Sequence, residues 1–238
     1  MRASLNHVSV SKDRAAVALT PVKGGLVVSC QVPDGTAIDT PEFIAAQALT
    51  VIQAGAVGIR ARGVENIRAI AKVTDVPIIG LVKKYFDTSP IYITPTVQDV
   101  LDLEAAGASI IAIDATERLR PNGVTLKDFM EQVRAVTNIP ILADVDSLAA
   151  GKLAESIGCE AVATTLSGYT DEPSGELPNI NLVRALATNV NIPVIAEGGY
   201  IHPEQVAAAF KAGAWTVCVG TAITNPYLLT KSFLQAIN

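Results

Sequence analysis

The residues of this chain that could do chemistry stand singly, each at the end of a short apolar run. Gln31 follows Ser29-Cys30, Arg60 and Arg62 close a second run, and Lys83 and Lys84 close a third. Asp114, Asp144, Thr164-Thr165 and Glu197 end the next four, and the eighth ends in Gly220-Thr221. A charged group at the mouth of a buried strand has no packing role. Gathered round one opening, amide, guanidinium, ammonium and carboxylates would make a site for a polar ligand.

Two of these positions carry reactive possibilities. Glu197 ends Pro193-Val-Ile-Ala-Glu-Gly-Gly199, so a carboxylate meets two glycines where a strand gives out. Glycine lets backbone N–H groups approach a ligand closely, and the helical pattern starting near Pro203 would aim its positive end at the same place. Glu197 is therefore a candidate acid or base beside a candidate phosphate cradle. Lys83 closes Pro77-Ile-Ile-Gly-Leu-Val, where desolvation and the neighbouring Arg60 and Lys84 would ease loss of its proton. It would serve as a general base, as a Schiff-base amine, or simply as a phosphate-binding or ion-paired lysine.

Composition removes other classes. Half of the 238 residues are apolar and 17% are charged, which supplies one large core and argues against disorder. The net charge of −5 comes with no basic block that would track nucleic acid or an anionic membrane. Cys30, Cys159 and Cys218 stand alone, and with only His7 and His202 there is no zinc spacing. A reducing cytoplasm is the expected compartment, since no secretory pattern opens the sequence and no apolar run is long enough to span a bilayer. A Gly-x-Gly-x-x-Gly, a P-loop and a Gly-x-Ser-x-Gly elbow are all missing.

The elements that must position these groups declare themselves by a repeat. Gly55, Gly107, Gly158 and Gly213 each end a helical pattern and precede an apolar run, at spacings of 52, 51 and 55. Between them Pro77, Pro140 and Pro193 each open another apolar run. Glycine stops a helix in the left-handed conformation, and proline is tolerated as the first residue of a strand. Four periods of two strands give eight βα units, hence a closed (β/α)8 barrel over residues 24–238, with an open doubly wound sheet as the fallback. The strands are expected at 26–31, 57–61, 78–83, 110–115, 141–145, 161–166, 194–197 and 216–220. Helices are expected near 41–54, 64–74, 96–106, 125–137, 147–157, 179–188, 203–212 and 226–237. Residues 1–23 form an extension, in which Ser11–Leu19 would be a short helix capping the barrel bottom. The segment 167–178 is the longest loop and a candidate lid.

Several blocks together resemble one family. Val28-Ser-Cys-Gln31, Ile59-Arg60-Ala-Arg-Gly63, Pro77-Ile-Ile-Gly-Leu-Val-Lys83, Ile91-Tyr-Ile-Thr-Pro-Thr96, Ile113-Asp-Ala-Thr116, Thr164-Thr-Leu-Ser-Gly-Tyr-Thr170 and Val194-Ile-Ala-Glu-Gly198 are similar to those of the bacterial N-acetylmannosamine-6-phosphate 2-epimerases. The resemblance implies a barrel enzyme of sialic acid breakdown that inverts C2 of an amino-sugar phosphate without metal or redox cofactor. It implies Lys83 and Glu197 as the acid/base pair. It also implies that Gln31, Arg60, Asp144, Thr165 and Tyr169 hold the sugar, and that the chain is a homo-oligomer, a dimer. One departure is visible: relatives usually carry arginine where this chain has Asn225, and many carry one at Gly199. Phosphate would then rest on the backbone N–H groups of Gly198, Gly199, Gly220 and Thr221. The rival readings are a lyase or synthase barrel using Lys83 as a Schiff base, and a sugar-phosphate-binding protein without catalysis.

Overall fold

The computed structural model describes residue 15 and residues 17–171 and 176–237. Eight parallel strands close into a barrel in chain order: β1 Leu26–Cys30, β2 Gly58–Arg62, β3 Ile78–Leu81, β4 Ile110–Asp114, β5 Ile141–Asp144, β6 Ala161–Ala163, β7 Val194–Glu197 and β8 Thr216–Val219. β8 returns to β1 through the pairing of Val27 with Cys218, so the sheet has no edge. The outer ring is α1 Pro41–Gln53, α2 Val64–Ala71, α3 Val97–Ala105, α4 Leu126–Val136, α5 Leu148–Ser156, α6 Ile180–Asn189 and α7 Pro203–Lys211. A short helix α8, Thr221–Thr224, then precedes α9, Pro226–Gln235.

The repeat has a physical basis at both marks. Gly55, Gly107, Gly158 and Gly213 all hold φ between 90° and 107°, the left-handed stop that returns the chain to the next strand. Pro77, Pro140 and Pro193 sit just before β3, β5 and β7, and each carbonyl accepts from the preceding strand: Ile59, Ile111 and Val162 donate at 3.0, 2.9 and 3.0 Å. At that position only a carbonyl is required, so the missing proline N–H costs nothing. Helix starts are closed by side chains: Thr40, Thr96, Thr125, Ser147 and Asn179 accept the first free N–H groups of α1, α3, α4, α5 and α6.

Alternation along the strands separates two cores. Residues such as Ile59, Ile111, Ile141 and Val217 face the helices, while Ile79, Ile110, Leu142, Ile195 and Cys218 fill the barrel. Ala18, Leu19 and Val22 join the inner cluster from the amino-terminal end, and the Trp215 indole donates to the Leu19 carbonyl at 2.9 Å. Most of the helix expected at Ser11–Leu19 lies outside the described residues, which include residues 17–19 in helical conformation. A cavity of about 1210 Å³ at this end is lined by Val17, Pro21, Val57, Pro77, Ser109 and Pro140 among others, on the face that serves stability in such barrels.

Two strands end sooner than their apolar runs suggest. β3 stops at Leu81 because the chain folds back on itself: Lys83 bridges antiparallel to Ile93, and Thr94 N donates to the Val82 carbonyl at 3.0 Å. β6 gives way to a 3-10 turn over Thr164–Leu166, which brings the Thr165 hydroxyl to the barrel mouth. The eight-unit architecture is as the repeat requires, and the open sheet is excluded by closure.

Gly80, on the outer face of β3, reports on helix packing. A Cβ there would lie 2.8 Å from Ala108 Cβ and 2.9 Å from Ile67 Cδ1. Gly80→Val should destabilise the protein by about 1–3 kcal/mol through overpacking, read as a fall of several degrees in thermal midpoint. An unchanged midpoint would mean that α2 and the segment after α3 pack more loosely than described.

Candidate active site

The same alternation that points Ile79, Ile110, Leu142 and Ile195 inward carries inward to the strand ends. Asp114, Asp144 and Glu197 are each an even number of residues from an inward-facing position of their own strand, and Arg60 meets two of them inside the barrel; Gln31, Arg62 and Lys83 follow at or just past the carboxyl ends of β1, β2 and β3.

At the centre lies Arg60. Its guanidinium is buried and forks onto Asp144, with Nη1 to Oδ1 at 3.1 Å and Nη2 to Oδ2 at 2.7 Å. Nη1 also lies 3.1 Å from Glu197 Oε2. β2, β5 and β7 are not neighbours, so this side chain ties together strands from around the barrel. Thr165 completes the cluster, its Oγ1 lying 2.7 Å from Asp144 Oδ1 and 3.2 Å from Glu197 Oε2. The adjacent Thr164 hydroxyl donates to the Glu197 carbonyl at 2.8 Å and accepts from the Glu197 N–H at 3.0 Å, fixing the backbone that carries the carboxylate.

The electrostatics follow from burial. Desolvation alone would lower the Arg60 pKa, but Asp144 and then Glu197 outweigh it and hold the guanidinium charged. Burial pushes the Glu197 pKa above the ordinary carboxylate value; Arg60 opposes, Asp144 adds to the rise, and hydrogen bonds from Thr165 and Cys218 oppose it. Lys83 shifts the other way. Its ammonium is disfavoured first by desolvation, then by Arg62 and Arg60, with Glu197 and Asp144 partly compensating. A lysine and a glutamate drawn toward each other in pKa, on strands opposite in the ring, is an arrangement suited to moving protons.

Thr94 supports the Lys83 loop. It is a buried β-branched residue with φ of 45°, a conformation that costs about 1–3 kcal/mol and persists where surroundings impose it. Its backbone and hydroxyl both pair with Val82, beside Lys83. Lys84 points elsewhere, with Nζ 3.6 Å from Asp99 at the start of α3.

Across the mouth, Gly198 and Gly199 hold φ of 106° and 76°, and Gly220 leads into α8 at Thr221. A Cβ on Gly220 would come within 3.2 Å of Ser29 Cβ, and one on Gly199 within 2.6 Å of Leu177 Cβ, so close approach and conformation both exclude side chains here. The result is a glycine-lined turn whose backbone a ligand could approach closely, a form suited to an anion.

Gln31 donates to Ser29 Oγ at 2.9 Å and borders this cradle. Tyr169 is exposed at the start of the long loop. Asn225 is buried, its Oδ1 accepting from Leu228 N at 3.0 Å as the cap of α9. Sequence reading missed Cys218, Cα partner of Glu197 across β7 and β8, whose buried thiol hydrogen-bonds the Glu197 carboxylate. Its inward parity with Glu197 was the available signal.

This is a (β/α)8 barrel with an interior ionic cluster and an anion cradle at one mouth, a small-ligand enzyme site in form. Comparison with known proteins narrows the class. Residues 44–238 match the family model described as "Putative N-acetylmannosamine-6-phosphate epimerase". A relative from Caldanaerobacter subterraneus is 41% identical over 218 residues, 91% of this chain and 92% of its own. One from Yersinia pseudotuberculosis is 44% identical over 216 residues, 91% of each chain. Both are described in the same terms, as 2-epimerases. The solved N-acetylmannosamine-6-phosphate 2-epimerase from Clostridium perfringens superposes with a TM-score of 0.86 at 40% identity, covering 92% of this chain and 95% of the other. Thiamine phosphate pyrophosphorylase from Pyrococcus furiosus, at 18% identity and TM-score 0.59, shares the fold. The chain belongs to the N-acetylmannosamine-6-phosphate 2-epimerase family.

Asn225→Ala should cost about 1 kcal/mol of stability through the lost cap and leave the Michaelis constant within about twofold. A severalfold rise in that constant, with the variant folded, would return position 225 to the ligand.

Proposed function

We propose that the protein interconverts N-acetylmannosamine 6-phosphate and N-acetylglucosamine 6-phosphate, an isomerase acting by proton transfer at C2. The observation that carries this reading is the placement of Lys83 just beyond β3 and Glu197 at the end of β7, strands opposite in the ring, with pKa values drawn together. In the open-chain sugar the C2 hydrogen is α to the C1 aldehyde. The Lys83 amine takes that proton, the C–H pair becomes the C1–C2 double bond of an enolate, and negative charge moves to O1. The Arg60 guanidinium, held in place by Asp144 and Thr165, offers positive charge to that oxygen. The Glu197 carboxyl returns a proton to the opposite face of C2, and in the reverse direction the two exchange roles. Gln31 binds sugar hydroxyls, and the backbone N–H groups of Gly198, Gly199, Gly220 and Thr221 take the phosphate. The chemistry is complete with these side chains and calls on no cofactor.

Conversion of N-acetylmannosamine 6-phosphate in a coupled assay specific for N-acetylglucosamine 6-phosphate tests the activity. No product from the folded protein would refute it, and a borohydride-trapped adduct on Lys83 would favour Schiff-base chemistry. Glu197→Gln should lower turnover by about 10²-fold or more; near-normal turnover would reassign Glu197 to holding Arg60. The profile of kcat/KM against pH should be a bell, its acidic limb above the ordinary carboxylate value of 4.5 and its basic limb below the ordinary lysine value of 10.5. Arg62 is the foremost charge depressing Lys83, so Arg62→Gln should move the basic limb upward, and a limb that stays put would detach it from Lys83.

The reading extends to a homodimer in the cytoplasm. α9 buries none of its residues and exposes Tyr227, Leu228, Phe233 and Leu234, an apolar surface that a second copy would cover. Light scattering should find a dimer, and Phe233→Asp with Leu234→Asp should give a monomer; a wild-type monomer would refute the pairing. Among the described residues no helix is long and apolar enough to cross a membrane.

A further inference from the structure

The Arg60–Asp144–Thr165 constellation has a counterpart on the next strand that the C2 chemistry leaves unused. Asp114, Cα partner of Asp144, is buried at the inward end of β4. Its Oδ1 accepts from the Thr116 hydroxyl at 2.7 Å and the Thr116 N–H at 3.0 Å. Arg118 closes over it, with Nη2 2.7 Å from Asp114 Oδ2 and Nε 2.9 Å from Thr116 Oγ1. Nε and Nη2 are thereby paired, and the side chain stays part-exposed. Arg120, packed 4.1 Å over the Phe129 ring, donates to the Asp114 carbonyl and stiffens the loop from beneath.

A second loop is fastened to this one. Ser89 Oγ donates to the Leu119 carbonyl at 2.7 Å, and Tyr92, on the same fold-back, packs against the inner cluster and stacks on Tyr85 with ring centroids 5.5 Å apart. The Tyr92 hydroxyl lies in the field of both carboxylates: its pKa is raised by burial first and then by Asp114 and Asp144.

We propose that Asp114, Thr116 and Arg118 form the subsite for the N-acyl group, Arg118 donating to the acyl carbonyl oxygen with the Tyr92 ring against the acyl methyl. The proposal rests on the epimerase reading and deepens it. Three observations select the acyl group over the phosphate. β4 lies four strands from β8 in an eight-stranded ring, opposite the glycine cradle; a substituent on C2 directed away from the phosphate would end there. Arg118 is already neutralised by Asp114, with Asp144 alongside, and that surface repels a dianion while still offering an N–H to a neutral amide. The neighbouring surface is an aromatic ring, suited to a methyl group.

The test is calorimetric binding of two probes, N-acetylmannosamine 6-phosphate and glucose 6-phosphate, which share the phosphate and differ at C2, to the wild-type protein, Arg118→Gln and Arg118→Lys. For both variants the N-acyl ligand should weaken by about ten- to a hundredfold, the value of a hydrogen bond from a charged donor. Glucose 6-phosphate should change by less than about twofold. Equal weakening of both ligands would assign Arg118 to the phosphate or to the fold, and no weakening of either would remove it from the site; both results overturn the proposal. Because the readout is binding and is internally referenced, it stands apart from the coupled assay: absence of turnover in the wild type would sink the epimerase reading without altering this comparison.

Discussion

The structure depends on one buried cation. Arg60 sits in the barrel with two carboxylates, Asp144 and Glu197, and breaking such a cluster by removing one partner typically costs about 3–5 kcal/mol, because a charge is left uncompensated. That cost fixes the geometry. Asp144 cannot turn toward the ligand without abandoning the guanidinium, Thr165 is pinned between the two carboxylates, and Glu197 is left partly paired. Partial pairing is what leaves Glu197 able to hold a proton: the fork goes to Asp144, and burial raises the carboxyl that receives only the side contact. The same positive charge reaches Lys83 and disfavours its ammonium. Burial is thus the first cause that brings the two groups toward a common pH range, with Arg60 opposing the rise at Glu197 and adding to the fall at Lys83.

The rest of the fold supplies rigid ends on which this cluster stands. Proline at strand starts and glycine at helix stops set the register of every second strand, and register decides which residues point inward. A one-residue slip of β7 would send Glu197 outward and Ala196 into the barrel. The two loops after β3 and β4 are braced against each other by Ser89 and Leu119, so the polar wall opposite the glycine cradle is part of the scaffold.

Much of this was legible in the chain itself. Gly55, Gly107, Gly158 and Gly213 announced eight units because a left-handed stop needs glycine, and the strand-end polar residues announced the mouth because nothing else explains a charge there. Position 225 was not legible: Asn before Pro226 is equally an N-cap and a ligand residue, and only the path of α9 decides. Arg118 was hidden for a related reason, since it sits in a loop whose course depends on tertiary ties. Cys218 lay in an apolar run where a thiol reads as packing, and its role depends on the neighbouring strand.

Proton abstraction at C2 depends on Lys83 as the acceptor. The most direct measurement is proton NMR of the C2 signal of N-acetylglucosamine 6-phosphate in heavy water, with wild-type protein and with Lys83→Ala. Wild-type protein should replace the C2 hydrogen by deuterium as it equilibrates the epimers, and Lys83→Ala should bind the sugar phosphate yet leave that signal intact over the same period. Loss of the C2 signal at an undiminished rate in folded Lys83→Ala would contradict the account, because the proton would then have another acceptor.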